Sequence, residues 1–336
     1  MKWFQSIRIM RGIAASMVVL YHFGYSNSNF LAAFPSFGSL FRYGDLGVWM
    51  FFVISGFVIR YAMHSANYGM NEAWPFLLRR LVRLEPAYIV SLLLAFALAY
   101  TAARTPGYRG PPEPSLRDYL LQFVYLAPWF DVPWLDDVAW TLAIEFQFYL
   151  FMLLAAPLLL PRPAWPKVLL FAAIVATSLV FDDKRALFHY LPCFALGFAV
   201  FLFQAGRIRL VDFLVLGVLF VLVIAFETAI PAAVAAGMSA LLILAPLDRP
   251  VPVLSFLGTI SYSLYLIHTL IGNRIVNLGM RASSPWLQLG GFVAAIVASL
   301  TAAIALWYFV ERPSHLRARM INSAPSTAGL ARGAQS

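Results

Sequence analysis

Charged residues are scarce in this 336-residue chain. They make up 12% of the sequence, whereas hydrophobic residues make up 62%, and a soluble protein usually has roughly 25% charged residues. A soluble domain could not hide so much apolar surface from water. Apolar stretches of about 20 residues recur along the chain, and each is long enough to cross the roughly 30 Å hydrocarbon layer as a helix. The composition therefore excludes a soluble globular protein and predicts a membrane protein.

Cysteine is nearly absent as well. The single Cys193 excludes an intramolecular disulfide framework and a cysteine-rich metal site, and its apolar neighbours predict a packing role. No metal is expected. The net charge of +9 at first suggests a nucleic acid partner. Most basic residues, however, fall near one predicted membrane face, as the positive-inside rule requires of the cytoplasmic side. The excess of basic residues is therefore attributed to the orientation of the chain in the membrane, and nucleic acid is not an expected partner.

The predicted fold is all-α, a polytopic membrane protein with about ten transmembrane helices and cytoplasmic N- and C-termini. We place the spans at about 7–24, 43–61, 84–103, 138–160, 166–181, 187–204, 210–227, 230–247, 254–273 and 286–310. The first span contains Arg11 and lacks a small-residue cleavage pattern, so we expect it to be retained rather than removed as a signal peptide. Residues 1–318 are expected to form one integral membrane domain, and residues 319–336 a disordered cytoplasmic tail.

The longest polar connection, about 104–137, is predicted on the outer side. It is rich in proline, tryptophan and aspartate, as in "PWFDVPWLDD". An interfacial lid or a rim facing carbohydrate would have this composition. An ordinary external loop with aromatic residues at the membrane interface would have it equally well, so both interpretations stay open.

Arg11 and His22 are ionisable residues within the first span, in "RIMRGIAASMVVLYHF". Arg11 and His22 return to within about 20° of the same helix face and lie about 16 Å apart along its axis. Ionisable groups in a membrane helix tend to face a protein interior or a water-filled cavity. The pair could line a channel for a long ligand with an anionic head, such as coenzyme A. A snorkelling arginine and a hydrogen-bonded interfacial histidine would explain the same spacing.

A basic cluster, "FLLRRLVRLEPAY", leads into the third span. Arg79, Arg80 and Arg83 lie within about one helical turn of each other, at the predicted cytoplasmic end. Guanidinium groups bind phosphates through forked, charge-assisted hydrogen bonds, so the cluster could bind a nucleotide head. Topology and contacts with lipid headgroups are the alternative explanation.

Glu145 and Asp45 are the acidic residues of the predicted spans that we consider as site candidates. Glu145 lies inside "WTLAIEFQFYL", where a buried carboxylate must be paired, hydrogen-bonded or neutralised. It could orient His22, bind a substrate hydroxyl or hold two helices together. Asp45 begins the second span, whose glycines would permit close helix packing.

A polar stripe lies in "SYSLYLIH", where Ser261, Tyr265 and His268 follow the spacing i, i+4 and i+7. We predict substrate-binding roles for Tyr262, Tyr265 and His268, and for Trp140 at the start of the fourth span. Hydrogen bonding between helices would explain the stripe as well.

Taken together, these stretches resemble the acyltransferase 3 family, integral membrane enzymes that O-acylate bacterial surface polysaccharides, lipopolysaccharide and some small molecules. The resemblance covers about residues 4–315 and rests on motifs in family order: the spacing of Arg11 and His22, "GDLGVWMFFVISGFVI", "FLLRRLVRLEPAY", "WTLAIEFQFYL", "SYSLYLIH" and "VERP". A chain made of spans alone looks like the shorter members associated with exopolysaccharide modification.

The resemblance implies roles for several of these residues. His22 corresponds to the catalytic histidine, and Arg11 to a residue that supports donor binding. The head of acyl-CoA is expected at the cytoplasmic arginine motif, which is Arg79, Arg80 and Arg83. Glu145 matches the acid of the family's W-S-L-x-x-E motif, with Thr141 in place of the usual serine.

The candidate catalytic residues are therefore His22, Glu145 and Asp45. The expected reaction transfers an acyl group, with acetyl favoured, from cytoplasmic acetyl-CoA or another acyl-CoA to a hydroxyl of a surface polysaccharide or its lipid-linked glycan precursor. The expected location is the bacterial inner membrane, where lipids are partners too. His22 would act as a general base or as the acyl carrier.

Two other functions account for part of the same pattern. A transporter or flippase for a lipid-linked oligosaccharide also needs about ten spans and buried arginines, and it stays the main alternative. A polysaccharide polymerase or membrane glycosyltransferase is disfavoured, because its key acids and arginines should lie in large outer loops.

Overall fold

The computed structural model describes residues 3–65, 72–107, 113–159, 173, 175–181, 183–245, 249 and 251–321. Over these residues the chain is helical and contains no β-strand, which confirms the all-α prediction. The helices are α1 (Trp3–Leu20), α2 (Ser28–Ala33), α3 (Pro35–Ser39), α4 (Leu46–Ser65), α5 (Ala73–Ala103), α6 (Leu116–Phe123), α7 (Ala139–Leu159), α8 (Leu187–Gln204), α9 (Leu210–Glu227), α10 (Ile230–Leu244), α11 (Pro252–Thr259), α12 (Ser261–Gly279), α13 (Pro285–Leu306) and α14 (Arg312–Met320).

Among the described residues, five helical segments are long and apolar enough to cross a membrane: α4, α5, α8, α9 and the continuous stretch Pro285–Met320. The pair α11 and α12 makes a sixth if it is one span bent by 75°. Shorter apolar segments lie in α7 and α10. The predicted span 166–181 falls largely outside the described residues. Membrane integration is therefore supported, while the count of ten spans and the cytoplasmic termini stay predictions.

Several boundaries differ from the predicted ones. α5 begins at Ala73 rather than near residue 84, so the three arginines lie within the helix, because hydropathy marks only the apolar part of a helix. The predicted span 254–273 is interrupted at Ile260, and Ser261 begins a new helix. α14 extends to Met320, past the start of the predicted tail, and residues 322–336 lie outside the described chain.

Glycines bring α4 and α8 into close contact. A Cβ atom on Gly56 would overlap the carbonyl oxygen of Phe194, and one on Gly197 would overlap that of Val53. The close packing expected from the glycines of the second span is thus confirmed. Cys193, on the same helix α8, is buried and free, in keeping with a packing role.

Within the described part of the chain, two helices continue into widened π-helical turns. After α1, residues Tyr21–Tyr25 form one such turn, and the Ser26 N–H donates to the Tyr21 carbonyl oxygen at 2.8 Å. After α13, residues Trp307–Glu311 form another. Single π turns inside helices often occur at functional sites, and these two contain His22 and Glu311.

The connection between α5 and α7 packs into the bundle over its described part. The Tyr88 hydroxyl donates to the carbonyl oxygen of the buried Gln122 at 2.9 Å, and the Gln122 amide donates to the Pro133 carbonyl oxygen at 2.8 Å. Tyr125 stacks on Tyr88 with ring centroids 4.9 Å apart, and its hydroxyl donates to Glu85 at 3.0 Å. These contacts fix the connection as part of the wall beside α5.

Candidate active site

A cavity of about 120 Å³ lies inside the helix bundle; we call it the central cavity. Its polar lining includes Arg11 of α1, Ser55 of α4, Arg80 and Arg83 of α5, Glu145 of α7, and Tyr262 and Tyr265 of α12. Residues far apart in the sequence, and predicted separately to act in donor binding and catalysis, thus meet around one space.

Glu145 is hydrogen-bonded at one of its carboxylate oxygens. Its Oε1 atom accepts hydrogen bonds from the Ser55 hydroxyl at 2.8 Å and from the Tyr149 hydroxyl at 2.6 Å. Glu145 also interacts electrostatically with Arg11. The half-buried carboxylate is therefore hydrogen-bonded, as an acid withdrawn from water should be. Its bond with Ser55 joins α7 to α4, and no hydrogen bond joins it to His22 within the described chain.

A second cavity, of about 460 Å³, adjoins the first and is called the mouth cavity. Arg79, Arg80 and Arg83 line it from α5, and His315 and Arg319 line it from α14. Arg80 and Arg83 line both cavities, so their guanidinium groups lie where the two meet. The predicted arginine cluster therefore surrounds one space that continues toward Arg11 and Glu145.

His22 and His268 form a contact pair. The π-helical turn holds His22 with its Nδ1 atom 2.9 Å from the Val18 carbonyl oxygen and 3.2 Å from His268 Nε2. His268 is fully buried, and its Nδ1 atom lies 2.8 Å from the Tyr265 carbonyl oxygen and 3.1 Å from that of Leu264. The structure thus brings His268 into hydrogen-bond contact with His22.

These partners fix the positions of the ring protons when both rings are neutral. Carbonyl oxygens only accept hydrogen bonds, so the Nδ1 atom of His268 must bear its proton and its Nε2 atom must accept. The Nδ1 atom of His22 then faces two acceptors, the Val18 carbonyl and His268, and must bear the proton as well. The lone pair of His22 therefore lies on Nε2, which is the nitrogen that can accept a proton or attack an acyl group.

The two predicted tyrosines line the central cavity and are hydrogen-bonded. The Tyr265 hydroxyl lies 2.8 Å from the Thr141 hydroxyl, and the Tyr262 hydroxyl donates to the Leu84 carbonyl oxygen at 3.0 Å. The rings of Tyr265 and His268 have centroids 6.0 Å apart. Tyr265 therefore borders both the central cavity and His268.

Asp45 and Trp140 lie apart from the cavities. Asp45 is exposed in the turn before α4. Partial desolvation raises the pKa of its carboxyl group, and nearby His22 acts in the opposite direction. No hydrogen bond joins the two within the described chain. Trp140 packs against Phe52 and Tyr190, with ring centroids 6.3 and 5.5 Å away, so its substrate-binding role stays a prediction.

Comparison with known families gives a match over the region that contains the two cavities' α1, α4, α5, α7 and α12 residues. A family model described as an acyltransferase domain, that of the acyltransferase 3 family, matches residues 4–308. This chain belongs to the acyltransferase 3 family. The resemblance inferred from the motifs is thereby confirmed, and the apolar helices agree with a membrane acyltransferase. Searches of curated proteins and of solved structures found no match.

One polar chain in this acyltransferase 3 family member was missed by sequence reasoning. Glu311 of the "VERP" motif is buried, and its Oε2 atom accepts from the Ser263 hydroxyl at 2.6 Å. Its Oε1 atom lies 3.5 Å from His315 Nε2, which accepts from Arg83 Nε at 3.0 Å. The i, i+4 spacing of Glu311 and His315 is the feature of the sequence that could have predicted this contact. The chain links the mouth cavity to α12.

Asp136 is a second residue that the sequence did not single out in this acyltransferase. It is buried, and its Oδ1 atom accepts from the Thr269 hydroxyl at 2.8 Å. Desolvation raises the pKa of this carboxyl group to about 7, against the opposing hydrogen bond from Thr269. Asp136 thus borders the residue that follows His268. Among the described residues, no group of three or more His, Cys, Asp or Glu side chains could hold a metal ion.

Proposed function

We propose that this chain is an O-acyltransferase of the bacterial inner membrane. It transfers an acetyl group from acetyl-CoA to a hydroxyl of a surface polysaccharide or of its lipid-linked precursor. The observation that carries the proposal is the His22–His268 pair, which leaves a lone pair on His22 Nε2 and in which His268 neighbours Tyr265, a lining residue of the central cavity.

The two cavities match the two parts of the donor. Phosphate groups of the coenzyme A head bind the arginines of the mouth cavity through charge-assisted hydrogen bonds. The uncharged, flexible arm then passes Arg80 and Arg83, which line both cavities, and enters the central cavity. From Tyr265, His268 lies three residues further along α12, about 4.5 Å in axial rise. The acyl end of the donor thus points toward the histidine pair.

The chemistry needs a group that accepts a proton from an alcohol, because a neutral alcohol is a poor nucleophile. The acceptor oxygen attacks the thioester carbonyl carbon while His22 Nε2 takes the hydroxyl proton. The carbon–sulfur bond then breaks, and the leaving thiolate takes the proton from the imidazolium. In the covalent variant, Nε2 itself attacks the carbonyl carbon, and the carbon–sulfur bond breaks to release the thiolate. The acceptor oxygen then attacks the acyl carbon, the carbon–nitrogen bond to histidine breaks, and the hydroxyl proton passes to the thiolate. Both routes use the same nitrogen.

The decisive variant is His22→Ala. A positioned general base contributes about 10²–10⁴-fold to the rate, so the O-acetyl content of the surface polysaccharide, measured by NMR, should fall to background. The matched control is His189→Ala, which truncates another buried histidine, on α8 beside Tyr190. We expect this control to retain acetylation at equal protein abundance.

The same experiment separates the enzyme from a transporter. A flippase without acyl-transfer chemistry would not need a proton acceptor, so its glycan would reach the surface with unchanged O-acetyl content in the His22→Ala strain. Acetylation retained at the wild-type level would therefore refute the catalytic role of His22.

A further inference from the structure

Helix α14, the last of the described helices, completes the wall of the mouth cavity. Its His315 and Arg319 face the same space as Arg79, Arg80 and Arg83 of α5. α14 begins at Arg312, beyond residue 308, where the family match ends. Part of this cationic cavity is thus built by a segment outside the matched domain.

Side chains of α5 hold α14 in place. Arg83 Nε donates to His315 Nε2 at 3.0 Å, and Arg79 Nη1 donates to the Ile321 carbonyl oxygen at 3.5 Å. Glu311, which directly precedes α14, is buried and accepts a hydrogen bond from Ser263 of α12. Helix α14 is therefore docked on α5 and α12, which gives its cavity-facing side chains a defined position.

Arg319 differs from Arg79 in its surroundings. Arg79 lies 3.6 Å from the Glu72 carboxylate, whereas no ion pair within the described chain involves Arg319, which is exposed on the cavity wall. An unpaired guanidinium at a cavity is well suited to a phosphate, because its planar fork matches two phosphate oxygens. The cavity volume of about 460 Å³ lies within the roughly 300–1,000 Å³ typical of small-molecule sites.

We propose that Arg319 binds the ribose 3′-phosphate of the coenzyme A donor and that α14 is part of the donor site. This inference rests on the proposed function, which takes acyl-CoA as the donor. In coenzyme A, the pyrophosphate directly follows the arm, and the 3′-phosphate lies farther from it on the ribose. Arg80 and Arg83 line both cavities and so meet the pyrophosphate, whereas Arg319 lines only the mouth cavity and meets the more distant phosphate.

The test compares two donors that differ by this single phosphate. The full-length protein in phosphatidylcholine nanodiscs is titrated with acetyl-CoA and with 3′-dephospho-acetyl-CoA. One charge-assisted hydrogen-bond pair corresponds to about tenfold in Kd, so the wild-type protein should prefer acetyl-CoA by about that factor. In Arg319→Gln the preference should vanish. In Arg83→Gln both donors should bind more weakly while the preference remains.

The matched control is Arg317→Gln, which removes a charge from the same helix at an exposed position that is not among the described lining residues of the cavity. It should retain the wild-type preference. If Arg319→Gln also retains it, or if Arg317→Gln loses it equally, the assignment is overturned.

Lipid headgroups offer the same phosphate chemistry, so the titration is repeated in nanodiscs containing phosphatidylglycerol. If Arg319 binds the nucleotide, the donor preference should persist there. If anionic lipid abolishes the preference of the wild-type protein, the residue binds a headgroup and the inference fails. Failure of the wild-type protein to bind either donor would instead contradict the proposed function itself.

Discussion

His268 should increase the rate of acyl transfer by orienting His22. It is not among the described residues that line the central cavity or the mouth cavity. Its Nε2 atom lies 3.2 Å from His22 Nδ1, and its own Nδ1 atom is held by the carbonyl oxygens of Tyr265 and Leu264. Replacing His268 with Leu removes this acceptor but leaves the Val18 carbonyl as a partner of His22. His22 should therefore remain a base in a less fixed orientation.

The magnitude follows from the one hydrogen bond that is lost. A net contribution of about 0.5–1.5 kcal/mol corresponds to a rate decrease of about 2- to 13-fold. That is smaller than the roughly 10²–10⁴-fold loss expected when the base itself is removed. His268→Gln, whose amide oxygen can still accept a hydrogen bond, should lie between His268→Leu and the wild-type protein.

The assay is the initial rate of transfer from radiolabelled acetyl-CoA to endogenous glycan in membrane vesicles with matched protein content. We expect kcat to fall while the KM for acetyl-CoA stays unchanged, because the ring lies beyond Tyr265. In a double-mutant cycle, His268→Leu should add nothing to His22→Ala, since it acts only through His22. An additive double mutant, or a His268→Leu enzyme as fast as the wild type, would refute the reasoning.

Two further predictions concern stability. Gly56→Leu should lower the midpoint of thermal unfolding in detergent, because the leucine side chain would overlap the Phe194 carbonyl at a cost of about 1–3 kcal/mol. The control is Gly217→Leu, since nothing lies within 4 Å of a Cβ atom there. Equal unfolding midpoints for the two variants would contradict the packing argument. Burial raises the pKa of Asp136 to about 7, so over the range from about pH 4 to 7 the folded state retains a proton that the unfolded state loses. The free energy of unfolding should therefore fall as the pH rises through this range, by up to about 4 kcal/mol. Asp136→Asn should flatten this dependence and still accept from Thr269; a variant that follows the wild-type pH profile would count against the assignment.

The sequence allowed the helical class, the family and the arginine cluster to be predicted, because each depends on local composition or on motifs with fixed spacing. Arg79, Arg80 and Arg83 lie close in sequence and share one helix, so their common location followed from helical geometry. The glycines of α4 likewise predicted close packing before the partner helix was known.

Contacts between distant segments could not be predicted in the same way. The partner of His22 is His268, 246 residues away, and helical periodicity gives no information about which helices become neighbours. The π-helical turn at His22 and the break at Ile260 were missed for a related reason. Both depend on packing against other helices, whereas the hydropathy pattern continues across them. Glu311 was noted only as part of a motif, because its burial depends on the docking of α14.

The π-helical turn at Tyr21–Tyr25 makes the direction of His22 depend on the number of residues as well as on their type. A bond from residue i to i+5 encloses one residue more than an α-helical bond does. Deleting one residue from this turn would let it close as an α-helix and would rotate the following chain by about 100°. Asn27, which donates to Asn277 at 3.1 Å, would then turn away from α12. The length of this short segment is therefore under structural constraint, so substitutions here should be tolerated more readily than a deletion or insertion of one residue.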